Sequence, residues 1–252
     1  MHATSDKKPV IICISSGKGG VGKTSFTVNM AAALAQRKKK VLLIDGDLGL
    51  ANVDVVLGIN VRHSLRETIE EGRDPAAILV EVMPGFHVLP ASSGVPEMAN
   101  LSHEEQVYLT NTLEGITGRF DYVLVDTAAG IGDSVLWFNN WAHTNIVVLS
   151  ADPTSMTDAY ALMKVLNARY DRKDFYLMIN SAKNKKEGQA VFDNMSMVLN
   201  NFLKFKPNQL GIMPLDSNVA KAIRTQKPFF LSFPDTKASL AISEMAATLI
   251  RM

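Results

Sequence analysis

Between Ser15 and Thr24 the chain reads Ser-Ser-Gly-Lys-Gly-Gly-Val-Gly-Lys-Thr, so glycines, lysines and hydroxyls crowd together just after the apolar run Val10 to Ile14. From Gly17 onward this fits Gly-x-x-x-x-Gly-Lys-Thr between a strand-like run and a helix-compatible segment, the context a phosphate-binding loop needs. Glycines let the backbone curl until its N–H groups converge on an anion, and a helix beginning near Gly22 adds the positive end of its dipole. Lys23 would neutralise charge on the β- and γ-phosphates, and the Thr24 hydroxyl would ligate Mg²⁺. The expected cradle is Gly17, Lys18, Gly19, Gly20, Val21, Gly22, Lys23, Thr24 and Ser25, with ATP or ADP and Mg²⁺ as its ligands. Chance alone yields such a match in about 1% of chains this long, which favours a ligand site over a bare turn.

Two acidic positions complete the set. Asp45-Gly46-Asp47 follows Val-Leu-Leu-Ile and Asp126 follows Tyr-Val-Leu-Val. Both fall at the carboxyl ends of candidate strands, where open α/β sheets bind their ligands. A hard Mg²⁺ ion on a nucleotide takes one or two protein oxygens and keeps several waters, so Thr24, Asp45 and Asp126 form the expected metal set, with Asp45 outside the shell or sharing it. Asp47 is left to orient the attacking water.

These residues need a scaffold that brings strand ends together. Apolar runs recur at Val10 to Ile14, Val41 to Ile44, Phe86 to Leu89, Tyr122 to Val125, Ile146 to Leu149, Phe175 to Ile179 and Leu210 to Met213. Most are apolar throughout rather than alternating, as strands covered on both faces are. Helix-length segments lie between them: Ser25 to Arg37, Glu104 to Thr117, Thr154 to Ala168 and Gly188 to Phe205, with Thr236 to Arg251 closing the chain. The expected fold is α/β, a doubly wound and mostly parallel sheet of seven to eight strands with helices on both faces. Residues 1–9 read as a flexible N-terminal segment and 10–252 as a single domain; the lysines 38–40 read as a solvated turn.

Composition narrows the function classes. A chain of 252 residues with 47% hydrophobic content can bury one large core, and a net charge of +1 supplies no global field for nucleic acid or anionic lipid. Cys13 is the sole cysteine, which excludes a disulfide framework and an iron–sulfur cluster. No apolar stretch approaches a membrane span and no signal peptide is readable, so a cytoplasmic location is expected. His2, His63, His87, His103 and His143 lack ligand spacing and read as surface or packing residues; Met195, Met197 and Met213 read as core filling.

The loop Gly-Lys-Gly-Gly-Val-Gly-Lys-Thr, with its second lysine at Lys18, resembles the deviant Walker A ATPases, the superfamily of MinD, ParA and the nitrogenase iron protein. Within it, Asp45 to Gly58 (DGDLGLANVDVVLG) and Val125 to Val135 (VDTAAGIGDSV) are most similar to the flagellar-number regulators of the FlhG (FleN) group in the MinD branch.

The resemblance implies an ATP-dependent homodimer in which Lys18 reaches across to the partner's nucleotide, an electrostatic part like that of an arginine finger. Lys18, Lys23 and Asp47 are then the catalytic residues. By the same resemblance Asn180 reads the adenine edge, and Pro214 and Asp216 sit in the loop that covers the base. Asp54 falls in the switch region and Asp158 near the dimer and partner surface. Implied partners are the flagellar GTPase FlhF and either flagellar switch (C-ring) proteins or a flagellar transcription regulator, with reversible contact at the inner face of the cell membrane.

The chain departs from that pattern at both ends. Thr236 to Met252 carries Leu240, Met245, Ala246, Leu249 and Ile250 at helical spacing with few bases, which reads as core packing rather than a lipid-docking tail. The amino end lacks the activator segment some relatives direct at FlhF. The resulting expectation is a slowly hydrolysing switch controlling flagellar number or placement. A MinD-type septum regulator and a ParA-type DNA-partition ATPase are the alternatives. DNA would need Lys183, Lys185, Lys186, Lys204, Lys206, Arg224 and Lys227 to form one patch, and binding to it is not expected at this net charge.

Overall fold

The computed structural model describes residues 8–91 and 102–252. Most of the expected N-terminal segment (residues 1–7, with His2) and the side chain of His103 lie outside the described residues.

In chain order the elements are β1 (Val10–Ser16), α1 (Lys23–Gln36), β2 (Val41–Gly46), α2 (Val53–Leu57), α3 (Leu65–Glu71), β3 (Val80–Met83), β4 (Phe86–Leu89) and α4 (His103–Thr117). There follow β5 (Tyr122–Ala129), α5 (Asp133–Trp141), β6 (Thr144–Ser150), α6 (Pro153–Tyr170), β7 (Phe175–Ala182), α7 (Lys185–Leu203), β8 (Asn208–Pro214), α8 (Ser217–Arg224), α9 (Phe229–Ser232) and α10 (Lys237–Arg251). All the strands join one sheet in the order β3-β4-β2-β5-β1-β6-β7-β8, parallel throughout except for the antiparallel β3–β4 pair. The expected α/β class and doubly wound sheet are what is found. The eighth strand, β3, escaped the pattern because Val-Glu-Val-Met is a short, partly exposed edge with no apolar run.

Alternation along each strand divides the core into two layers. Ile12 and Ile14 of β1 pack in the layer of α1, α9 and α10, while Ile11 and Cys13 pack in the layer of α4 and α5. Each side chain fully buried in this way contributes roughly 1.5–3 kcal/mol. Helix α1 is enclosed almost completely from Phe26 to Ala35, and the small side chains Ala31, Ala32 and Ala33 let it lie close to the sheet and to α10. The helix that follows the glycine loop is thereby enclosed between the sheet and α10.

Several details differ from the pattern reading. Met195 and Met213 are buried as expected, but Met197 is 55% exposed, because it lies on the outer face of α7. On α10, Met245, Ala246 and Leu249 are in the core and Ile250 packs against it, whereas Leu240 is 55% exposed. Lys38, at φ 63°, makes the solvated turn that was expected, and Asp121 accepts the Lys40 N–H at 2.7 Å.

Candidate functional site

The phosphate loop is shaped by close approach and by positive φ. A Cβ on Gly17 would lie 2.1 Å from the backbone carbonyl of Asp158 in α6, so only glycine allows β1 to turn against that helix. Gly20 and Gly22 adopt φ 74° and 89°, the left-handed region that favours glycine. Helices α4, α6, α7 and α10 each begin on a capping side chain, namely Ser102, Asp152, Asn184 and Thr236. Helix α1 begins on Gly22 with no side-chain cap and no acid in its first turn. Its leading amides are left to an anion, the arrangement that binds phosphate.

Lys23, the first residue of α1, is only 9% exposed, with its Nζ 3.5 Å from Asp126 Oδ1. That same oxygen accepts the Thr27 hydroxyl at 3.0 Å. Asp45 and Asp126 lie opposite each other in register on neighbouring strands β2 and β5. Burial pushes the Asp45 carboxyl up to about 7, the Asp126 charge adds to this, and amide hydrogen bonds from Val53 and Asp47 oppose it. Two buried carboxylates side by side make a place that gains from a cation.

Asp45 has a second task. Its Oδ1 accepts the Asp47 N–H at 3.1 Å, and its Oδ2 accepts the N–H groups of Asn52 and Val53 at 3.1 and 3.2 Å, which pins the whole 47–53 segment. Asp47 is half-buried, and burial raises its carboxyl above the usual range against the Leu50 N–H it accepts. Among the described residues no three His, Cys, Asp or Glu side chains form a metal cluster. The carboxylate pair with Thr24 in the first turn of α1 therefore fits an ion that shares its shell with phosphate and water, as Mg²⁺ does.

Beside the loop opens a cavity of about 450 Å³. Lys18, Gly19 to Gly22 and Ser25 line one side, and Asn180, Pro214 and Asp216 line the other, so both sets of expected nucleotide residues meet at one space. Asn180 joins the two sides by donating from Nδ2 to the Val21 carbonyl at 2.6 Å. Asp216 caps α8 by accepting the Asn218 N–H and reaches the Ala238 N–H of α10. Burial works to raise its carboxyl, but these amides hold it below the usual value. Sequence reading missed the apolar wall formed by Phe26, Leu215, Val219, Ile223 and Phe229. Val219 and Ile223, four apart just after Asp216, were the available sign of it.

The remaining expected residues take other positions. Lys18 Nζ lies 2.6 Å from Asp152 Oδ2 and 2.5 Å from Thr154 Oγ1, both at the start of α6. The Lys18 contact holds the Asp152 carboxyl down to about 2. Asp54 lies in the first turn of α2, near the exposed Leu50 and Val55. Asp158 is half-buried on α6 with its backbone against Gly17. The lysines of the would-be DNA patch separate: Lys183, Lys185 and Lys186 sit at the start of α7 and Lys204 and Lys206 beyond its far end, roughly 28 Å away at 1.5 Å per residue.

Residues 9–179 match the AAA_31 family model, described as an AAA domain. The chain is 40% identical over 236 residues to antiactivator FleN of Pseudomonas aeruginosa, covering 94% of this chain and 84% of FleN. It is 31% identical over 240 residues to the flagellum site-determining protein YlxH of Helicobacter pylori, covering 95% of this chain and 81% of YlxH. Among solved structures, the MinC:MinD cell division complex of Aquifex aeolicus superposes with a TM-score of 0.79 at 28% identity, covering 96% of each chain. With the glycine cradle, the uncapped helix and the paired carboxylates in place, the chain belongs to the AAA_31 family, as a MinD/ParA-type P-loop ATPase close to FlhG and FleN.

Proposed function

We propose that the protein is an ATP-dependent dimerising switch that hydrolyses ATP slowly and regulates flagellar number or placement. The observation that carries this reading is the union of the phosphate loop and the adjoining cavity across the Asn180–Val21 hydrogen bond, in a chain 40% identical to FleN. The amides of Gly19 to Thr24 and Lys23 hold the terminal phosphates. Thr24 and Asp126 would hold Mg²⁺, which would supply positive charge to offset that of the phosphates. Asp45 shares that charge and fixes the 47–53 segment, so Asp47 is held where it can orient water toward the γ-phosphate.

Lys18 leaves Asp152 when a second subunit presents its nucleotide, because a triphosphate carries more negative charge than one carboxylate. Asp54 and Asp158 border the surface that this movement assembles. FlhF and C-ring proteins, or a flagellar transcription regulator, are the partners this surface would address. The names of both relatives, an antiactivator and a flagellum site-determining protein, agree with a regulatory role. A septum-site role is the second reading, favoured by the MinD superposition but resting on lower identity. Sedimentation velocity decides the switch: Asp47→Ala protein with ATP and Mg²⁺ is expected to move from monomer to dimer. An unchanged monomer overturns the proposal.

A further inference from the structure

The two edges of the sheet are defended differently. Strand β3 is a four-residue edge carrying the exposed charge of Glu81, a combination that discourages pairing with another strand. Strand β8 runs seven residues, Asn-Gln-Leu-Gly-Ile-Met-Pro, without a charged side chain, and among the described residues no strand pairs with its outer edge. That edge lies along a groove of about 440 Å³ walled by the start of α7 and by α10, with Leu210, Gly211 and Ile212 along its floor. Gly211 keeps the wall close, since a Cβ there would lie 2.6 Å from Met245 of α10.

The chemistry of the walls selects the occupant. Leu240, 55% exposed, and Ala241 present an apolar step partway along the groove. At the end near Pro214 stand Lys185 and Lys237, the exposed first residues of α7 and α10. Helix dipoles favour acids at these positions, so two lysines there cost helix stability while concentrating positive potential at one end of the groove. Glu244 lies nearer the opposite end, since Met245 beside it abuts Gly211.

We propose that the groove along the outer edge of β8 docks an extended partner segment that adds to the sheet as a strand, with an apolar side chain on Leu240 and Ala241 and an acidic side chain at Lys185 and Lys237. Main-chain hydrogen bonds to the edge supply affinity, and these two subsites supply selectivity. Pro214 lines both this groove and the nucleotide cavity, so the docked segment abuts the wall of the base site. The inference does not depend on the nucleotide reading, because neither lysine nor Leu240 belongs to the phosphate site.

The test pans a phage-displayed library of random dodecapeptides against the purified chain and measures enriched peptides by fluorescence anisotropy. Enriched peptides are expected to carry an acidic residue near alternating apolar ones. They should slow amide hydrogen exchange across Leu210 to Met213 and bind about tenfold more weakly to Lys185→Glu/Lys237→Glu and to Leu240→Gln, about 1.4 kcal/mol each. Both variants alter exposed side chains, and unchanged circular dichroism and ADP binding confirm that they fold. Failure to enrich any peptide overturns the proposal. So does equal binding to the variants, exchange protection confined to another surface, or self-association of the chain through the β8 edge.

Discussion

The phosphate loop and the 47–58 segment meet at the same nucleotide site but are held in opposite ways. The loop is fixed by backbone: Gly17 is pressed on α6, Gly20 and Gly22 sit at positive φ, and Lys23 is buried against Asp126. The segment after β2 is gathered by the Asp45 carboxylate and anchored by the buried Leu48, Ala51, Val53 and Leu57, yet it exposes Leu50 at 69% and Val55 at 57%, and it touches the base side through the bond from Gln226 Nε2 to the Val55 carbonyl. The loop is set by close packing, whereas the segment gathered on Asp45 is expected to respond when the charge around that carboxylate changes.

The largest effect falls on the rigid side. Lys23→Ala removes the cation beside Asp126 and leaves that buried carboxylate uncompensated, a loss of about 3–5 kcal/mol. Titration calorimetry with ADP and Mg²⁺ is expected to show no heat from the variant; binding at wild-type strength would mean the loop does not grip phosphate through this lysine.

Next comes the charge that gathers the 47–53 segment. With the Asp45 carboxyl at about 7 in the folded chain and near 3.8 when unfolded, the folded state holds a proton that the unfolded state has lost across that range. Stability from this group is therefore complete below about pH 4 and declines as pH rises toward 7, by up to about 4 kcal/mol if the full shift is realised. Urea melts in EDTA should show this decline in the wild type and a flatter profile for Asp45→Asn. Parallel profiles would place the titration elsewhere.

A third comparison tests how the loop is seated. Gly17→Ala drives a Cβ into the Asp158 backbone, which cannot yield without moving α6, and should cost about 1–3 kcal/mol. For a chain of this size each kcal/mol lowers the melting temperature by roughly 2–4 °C. Gly115, with nothing within 4 Å of its added Cβ, is the control, and Gly115→Ala should match or exceed wild type. Equal melting of both variants would remove the close approach from the account.

What the sequence made legible follows from the range of each signal. The phosphate cradle, both acids and the buried strands could be read because a contiguous motif or a continuous apolar run specifies each one. Asn180, Pro214 and Asp216 came only through resemblance, and the structure joins them to the loop across 159 residues of sequence separation for the Asn180–Val21 bond. The short helices α2, α3, α5, α8 and α9 were missed because four to nine residues give too little periodicity to separate helix from loop. No local pattern could reveal that Asp45 gathers the 47–53 amides or that Lys18 finds Asp152, since both depend on which strand ends lie side by side.

The smallest effect concerns that lysine, whose side chain is the more exposed of the loop's two cations. Lys18 and Asp152 are 37% and 45% exposed, so their contact is screened by water and salt. Asp152→Asn weakens the hold on Lys18 while an amide oxygen can still accept the Thr154 N–H that caps α6, so the helix start should survive. If the cis pair competes with dimer assembly, the variant should dimerise in ATP at a concentration lower by up to about fivefold, the range that exposed ion pairs span. The difference should shrink at high salt, where the wild-type pair is already weakened. A variant that dimerises less readily than wild type would instead make Asp152 a contributor to the assembled interface. Lys18 would then belong to the responsive part of the site together with the 47–58 segment, and Asp152 would hold it in the dimer as well as in the monomer.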